Sequence, residues 1–435
     1  MKRITLNIIF LFLSVAAFAQ SKASSFEVAG IKVIMKPTLK QVVSVSMYFR
    51  GGVTNYRAEQ AGIEHLALAA TTECGTKKYS KDMFKDREDT YGVEVGGSSG
   101  YDNGTISLNC ISRFFDEGWG LFAEAVTNPV FESRELEMLK EKMMSGIKQS
   151  ESDPDDRIDQ LTIQNAFSGT PYATDPSGTE ATLSKLSSQN VKDYYYNSLL
   201  NKNRMFLVVV GNITKEEIVR RITLSFASLP SKPYTPAVFP KLQTQAVAAK
   251  LLVEQRALAT NYITGSMNAP AVLSDDYLPF RLAISALSNR LFREIRTVRN
   301  LSYAPYAHSV NRLMPYAVMY VSTTDPKTSV EVMLNELKDL RDHGLSAEEL
   351  ESGKSGFITN NYMKEESTGA IASSLGAAEI LGDWRIADET AERVNKVTLE
   401  EMNSVLKKYV NTIRWTYLGD KKLADEAQSV FRNTL

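Results

Sequence analysis

Residues 62–76, GIEHLALAATTECGT, decide how this chain of 435 residues is interpreted. They follow an apolar, strand-like run at residues 42–49 and a glycine turn at Gly51 and Gly52. Apolar residues recur at helical spacing from Ile63 onward, and Gly75 is typical of a residue just beyond a helix end. The stretch therefore predicts a helix that carries one histidine, His65.

This helix resembles the active-site helix of the pitrilysin, insulinase and mitochondrial processing peptidase family. Those zinc peptidases carry an inverted motif, H-x-x-E-H, on one helix. His65 stands at the position of the first histidine, but Leu68 replaces the glutamate and Ala69 replaces the second histidine. The resemblance thus implies that the helix is retained and its chemistry is lost.

Each of these replacements removes a zinc ligand or the general base. Two imidazoles one helical turn apart face the same way and hold one zinc ion, while the glutamate takes a proton from the zinc-bound water. The family's third ligand is a glutamate before an isoleucine on a later long helix. Here the matching pair is Gly146-Ile147, and the nearest acids, Glu141 and Glu151, are expected on the solvated helix face. We therefore expect this chain to bind no metal.

A second match lies at residues 291–303, LFREIRTVRNLSY, which resembles the family's C-terminal signature. In two-subunit members an arginine and a tyrosine four residues later reach the partner's zinc site, where they hold the substrate backbone or stabilise the oxyanion. The resemblance assigns these roles to Arg299 and Tyr303. Asn300 stands where the family usually has glycine, and asparagine also tolerates a left-handed backbone.

The rest of the pattern predicts an internal duplication. A long helix at residues 135–151, ended by Asp153-Pro154, is matched by another at residues 348–364, and similar segments introduce both. We predict an α+β fold of two homologous α/β-sandwich domains, each an antiparallel-type sheet covered by helices, in a clam-shell arrangement. The predicted bounds are 24–229 and 249–435, joined by a proline-rich linker at 230–248.

The N-terminus predicts export. Residues 1–19 combine Lys2 and Arg3, a short apolar run and the sequence Ala17-Phe18-Ala19, which is typical of a cleaved signal peptide. The formal net charge is −1, and cleavage would make it −3. Dispersed basic residues argue against nucleic-acid binding, and no later run is long and apolar enough for a membrane helix. The periplasm of a Gram-negative bacterium is the expected location.

Three functions follow from these observations. The leading hypothesis is a non-catalytic, substrate-binding subunit of a periplasmic heterodimeric zinc peptidase, whose zinc-motif-bearing partner subunit supplies the zinc. The alternative is a peptide-binding or scaffold protein without a peptidase partner. A hydrolase that uses His308 or His343 with a serine is the third, although no G-x-S-x-G context surrounds a serine. Cys74 and Cys110 form either one disulfide or two buried thiols.

Overall fold

The computed structural model describes residues 22–237, 251–432 and 434–435. The predicted signal peptide and part of the predicted linker lie outside these residues. The described chain is organised around two β-sheets of six and five strands, each packed against helices. The predicted α+β class with two sheet-and-helix halves is confirmed.

The first sheet has the order β1-β2-β6-β3-β5-β4. Its strands are β1 (Ser24–Val28), β2 (Ile31–Pro37), β3 (Val42–Arg50), β4 (Glu94–Ser99), β5 (Asn103–Ile111) and β6 (Met205–Gly211). The pair β2–β6 is parallel and the other pairs are antiparallel. Every residue of β6 is buried, which explains its continuous apolar run, because both faces of this sheet are covered.

Helices α1 (Ile63–Glu73), α2 (Lys81–Tyr91), α3 (Phe115–Thr127), α4 (Ser133–Ser152), α5 (Pro154–Ala166), α6 (Glu180–Leu183), α7 (Ser188–Tyr194) and α8 (Lys215–Phe226) belong to the first half. Asp153 ends α4 and caps α5, since its side chain accepts hydrogen bonds from the backbone N–H groups of Asp155 and Asp156. Pro154 occupies the first turn of α5, where its missing N–H costs nothing. The Asp-Pro segment therefore starts a second helix as well as ending the first.

The second sheet has the order β7-β11-β8-β10-β9. Its strands are β7 (Leu252–Gln255), β8 (Asn261–Asn268), β9 (Tyr306–Val310), β10 (Tyr316–Thr323) and β11 (Arg414–Gly419). The helices are α9 (Tyr277–Leu291), α10 (Pro326–His343), α11 (Ala347–Lys364), α12 (Thr368–Ile380), α13 (Arg385–Asn395), α14 (Leu399–Tyr409) and α15 (Lys421–Glu426). If β1 is left out, the first sheet has the same strand order and the same strand directions as the second sheet, as the predicted duplication requires.

The two halves exchange helices. Helix α5 of the first half packs on the second sheet, where Ile158 and Leu161 meet Tyr320 and Leu418. Helix α12 of the second half packs on β3 and β6 of the first sheet. Gly376 makes this approach possible, because an added Cβ would lie 2.0 Å from the Tyr48 ring. Each sheet is therefore covered on one face by its own helices and on the other by its neighbour's.

Polar groups join the same surfaces. The buried Glu379 carboxylate of α12 pairs with Lys32 at 2.8 Å and with Arg50 at 2.6 Å. At another contact, the backbone N–H of Leu313 donates to Asp102 Oδ2 at 3.2 Å. Asp102 is 9% exposed, and burial raises the pKa of its carboxyl to about 6. These contacts connect residues more than 200 positions apart.

Candidate functional site

Helix α1 places His65 and Ala69 on its one half-buried face. Its N-cap residue, Gly62, has φ +90°, and an added Cβ would lie 2.8 Å from the Ser177 carbonyl oxygen. His65 and Ala69 are half-buried, one helical turn apart, as the positions of two zinc-binding histidines must be. Leu68 is fully buried. His65 and Ala69 are therefore neighbours on one face of α1, with Leu68 turned into the core.

Gly146 of α4 faces the same cavity as His65. This cavity has a volume of about 250 Å³. Its walls come from α1, α4, α5 and the loop before α6, and are formed by His65, Met143, Gly146, Ile147, Ser150, Glu151, Arg157, Gln160, Gln164, Asp175, Ser177, Gly178 and Thr179. The structure thus brings together the sequence-predicted positions of the first histidine and the third ligand.

The residues present do not fit a catalytic zinc ion. Such an ion normally takes three protein ligands, whereas Ala69 and Gly146 offer no donor side chain. Leu68 fills the position of the general base and packs over Gly104, where an added Cβ would lie 2.2 Å from Leu68 Cδ1. Within the described ranges, no three His, Cys, Asp or Glu residues form a group that could hold a metal ion.

The hydrogen bond of His65 fixes its tautomer. Its Nδ1 lies 3.3 Å from the carbonyl oxygen of Ser99. Because a carbonyl only accepts, Nδ1 must carry the proton, and Nε2 of the neutral ring is left as an acceptor. Burial lowers the pKa of His65, with Ser99 and Asp175 opposing the shift. His65 is therefore a neutral acceptor at physiological pH.

Beside His65 lies a buried carboxylate that the sequence patterns did not predict. Glu64 Oε2 accepts from the Tyr194 hydroxyl at 2.6 Å and from Asn55 Nδ2 at 2.7 Å, and Oε1 accepts from Ser99 Oγ at 3.1 Å. Burial raises the pKa of Glu64, and the bonds from Tyr194 and Asn55 oppose this. These donors connect α1 to α7 and to the end of β4.

The second predicted site lies on a π-helical segment, Phe292–Val298, that continues α9. Nη1 of Arg299 donates to the Glu294 carboxylate at 2.6 Å and to the Glu294 carbonyl at 2.9 Å. Asn300 has φ +51°, the left-handed conformation expected where the family has glycine. Arg299 is therefore held within its own segment.

Tyr303 is contacted by a different arginine. The guanidinium of Arg296 lies 4.1 Å from the centroid of the Tyr303 ring and 4.8 Å from that of Phe292. Tyr303 is 77% exposed. Arg296 and Tyr303 also line a surface cavity of about 260 Å³ with Ser302, whose buried Oγ has no hydrogen-bond partner among the described residues. Arg296 is a candidate that the motif spacing missed.

In the part of the chain that the structure describes, the two cysteines and the other two histidines are not assembled into a site. Cys74 and Cys110 are free and buried, and burial raises the pKa of these thiols to about 12 and about 11. Of the two open alternatives, the structure has the pair of buried thiols. His343 bonds Asp339 at an exposed helix end, and burial lowers the pKa of His308.

Comparison with known proteins identifies the family. Residues 32–180 match the family described as insulinase (peptidase family M16), and residues 185–357 match the peptidase M16 inactive domain. The chain belongs to peptidase family M16. This M16 chain is 22% identical over 393 residues to a protein of Helicobacter pylori named non-peptidase homolog YmxG. The match covers 87% of this chain and 89% of the relative.

Solved structures share the fold. The peptidase M16 inactive domain from Pseudomonas fluorescens superposes with a TM-score of 0.81 at 17% identity, over 92% of this chain and 98% of the other. The periplasmic protease PqqL from Escherichia coli superposes with a TM-score of 0.75 at 16% identity. That match covers 94% of this M16 chain but 50% of PqqL, and the first half of PqqL gives the same score.

In the described ranges, none of the helices has both the length and the apolar character needed to cross a membrane. The longest helix in the first half, α4, has charged side chains throughout its 20 residues.

Proposed function

We propose that this M16 chain is the non-catalytic, substrate-binding subunit of an exported heterodimeric zinc peptidase. The observation that carries the proposal is that the helices of the motif are retained while the metal-ligand side chains are lost. His65 and Gly146 line one cavity, and Ala69 shares the half-buried face of α1 with His65, yet one imidazole is the only metal-binding side chain among the three. A homologous partner subunit with a complete zinc motif would supply the metal and the general base.

The π-helical segment supports a role toward that partner. Tyr303 is exposed, and Arg296 stacks on its ring, so the phenol and a guanidinium are held side by side on the surface. In the proposed complex, Tyr303 and Arg299 reach the partner's zinc site, where they hold a peptide carbonyl as it gains charge. Arg296 would keep Tyr303 in position for this contact.

The size of the chain supports pairing with a homologous unit. PqqL is about twice as long as the region it shares with this chain. A separate partner chain of similar size would complete an equivalent two-unit assembly. The predicted signal peptide, together with the periplasmic location stated for PqqL, supports export to the periplasm of a Gram-negative bacterium.

The test uses the chain without residues 1–19, alone and mixed with a zinc-motif-bearing M16 homologue from the same genome. We expect no stoichiometric zinc and no peptidase activity from the chain alone, and chelator-sensitive activity from the mixture above that of the homologue alone. Zinc or activity in the lone chain would overturn the proposal. A stable monomer that binds peptides but leaves every homologue unchanged would favour the scaffold alternative.

A further inference from the structure

The cavity at His65 has an apolar wall on one side. Met143 and Ile147 lie one turn apart on α4, and both are partly buried against the core of the first half. Gly146 lies between them without a side chain, and an added Cβ would meet nothing within 4 Å. The space that a bulkier residue would occupy at position 146 is therefore open.

The remaining walls are rich in acceptors. His65 Nε2 is an acceptor because Nδ1 is bonded to Ser99, and the carboxyl groups of Asp175 and Glu151 line the same cavity. Asp175 is close enough to His65 to influence its titration. Asp175 Oδ1 accepts one bond, from the Ser177 backbone N–H at 2.8 Å.

The guanidinium on the cavity wall is already hydrogen-bonded to a carboxylate. Arg157 lines the cavity, but its Nε and Nη2 atoms bind the Glu254 carboxylate at distances from 2.5 to 3.1 Å. Lys148, on the same helix as Gly146, pairs with Glu180 at 3.1 Å. Glu254 is shared with Arg256, whose Nε lies 2.9 Å from Oε1. Among the lining residues themselves, the two carboxyl groups of Asp175 and Glu151 outnumber the one guanidinium, so the cavity has a net negative charge.

We propose that this cavity binds a long basic side chain, lysine or arginine, of a peptide substrate. Its methylene groups would lie along Met143 and Ile147, and its charged end would meet Asp175, Glu151 and His65 Nε2. The inference rests on the proposed substrate-binding function and adds a substrate class to it. The position that holds zinc in active relatives would thus serve as a side-chain subsite.

Two variants change the cavity while leaving the fold intact. Gly146→Met fills the open space and replaces a glycine inside a helix, so it should not lower the melting temperature. Asp175→Asn removes the charge but keeps an oxygen for the bond from Ser177. Asp89→Asn is the matched control, since Asp89 is an exposed acid on α2 that does not line the cavity.

The experiment measures fluorescence anisotropy of two labelled alanine–serine octapeptides, acetylated and amidated, with a central lysine or norleucine. Titrations use the chain alone and the mixture with the zinc-motif homologue. We expect the lysine peptide to bind about tenfold more tightly, as one charge-assisted hydrogen bond provides. Asp175→Asn and Gly146→Met should abolish this preference, and Asp89→Asn should keep it.

The possible failures are distinguishable. Equal binding of the two peptides, or a lysine preference unaffected by both cavity variants, would overturn the basic-side-chain subsite and leave peptide binding intact. If neither peptide binds to the chain or to the mixture, peptide binding itself is overturned, together with the subsite.

Discussion

Arg296 stacks on Tyr303, with its guanidinium carbon 4.1 Å from the ring centroid, while Arg299 is bound to Glu294. Tyr303→Phe removes a hydrogen-bond donor from the proposed complex, so we expect kcat/KM of the mixture to fall about 100-fold. Arg299→Ala removes the second proposed donor and should lower kcat/KM by a similar factor, while Arg296→Ala should lower it about tenfold by releasing the ring. Peptide hydrolysis by the mixture measures these effects.

Arg293→Ala is the control for this comparison. Arg293 lies on the same segment and also binds Glu294, but it is not stacked on Tyr303. We expect activity within about twofold of the unaltered mixture, because exposed ion pairs contribute little. An equal loss of activity in all three arginine variants would contradict a specific role for Arg296.

The missing donors at the zinc position can be restored. In the double variant Ala69→His/Gly146→Glu, the two new side chains join His65 around one cavity, since residues 65 and 69 share a helix face and residue 146 lines the same space. We expect it to bind one zinc ion, measured by metal analysis after dialysis. Each single variant, with two ligands, is the control and should retain none. If the double variant retains no zinc, α1 and α4 are too far apart for the three side chains to hold one ion.

Asp102 should make stability depend on pH. Its folded pKa of about 6 exceeds the ordinary value of 3.8, so the stabilisation is present below pH 3.8 and is lost as pH rises through 6. Asp102→Asn does not titrate. The unfolding free energy of the unaltered chain minus that of the variant should fall by about 2–3 kcal/mol from pH 4 to pH 7. Urea titrations of both proteins at each pH measure this difference.

The same titrations on Asp89→Asn provide the reference. Asp89 is exposed on α2, and its replacement should leave the pH dependence unchanged. A pH-independent difference between the unaltered chain and Asp102→Asn would show that the Asp102 carboxyl titrates normally in the folded state.

Glu379 should be important for the contact between the halves. Its carboxylate is 5% exposed and is shared by Lys32 and Arg50, so Glu379→Ala leaves both cations without this anion at a partly buried surface. We expect a loss of about 3 kcal/mol in the free energy of unfolding, measured with urea. Glu392→Ala, which breaks an exposed pair with Lys396, should leave the urea midpoint nearly unchanged. Similar losses would contradict this assignment.

Much of the fold was predictable because its strongest signals are local. The apolar run of β6 predicts a buried strand, and Ser80, Thr214 and Ser346 predict helix starts that the structure confirms by side-chain caps. Helix α12 was not predicted, because one face contacts the first sheet and another contacts α13, which leaves little alternation of apolar and polar residues. Strands β9 and β11 were also missed.

The sites were predicted less completely, for geometric reasons. Helical spacing places His65 and Ala69 on one face of α1, and the family resemblance points to Gly146, which lines the same cavity as His65. Which arginine contacts Tyr303 does not follow from spacing, because the π-helical turn changes the helical period between Phe292 and Val298 and so rotates the faces of the segment. Helix α5 was missed because a proline both ends one helix and begins the next.

The exchange of α5 and α12 means that neither half is a self-sufficient folding unit. Separated from α12, the first sheet would expose Tyr48 and Phe206 to water, and without α5 the second would expose Tyr320 and Leu418. Unfolding of one half therefore removes the cover of the other, so the described chain should melt in one cooperative transition. Its assembly also requires contacts between distant segments, which makes slow folding the expected behaviour.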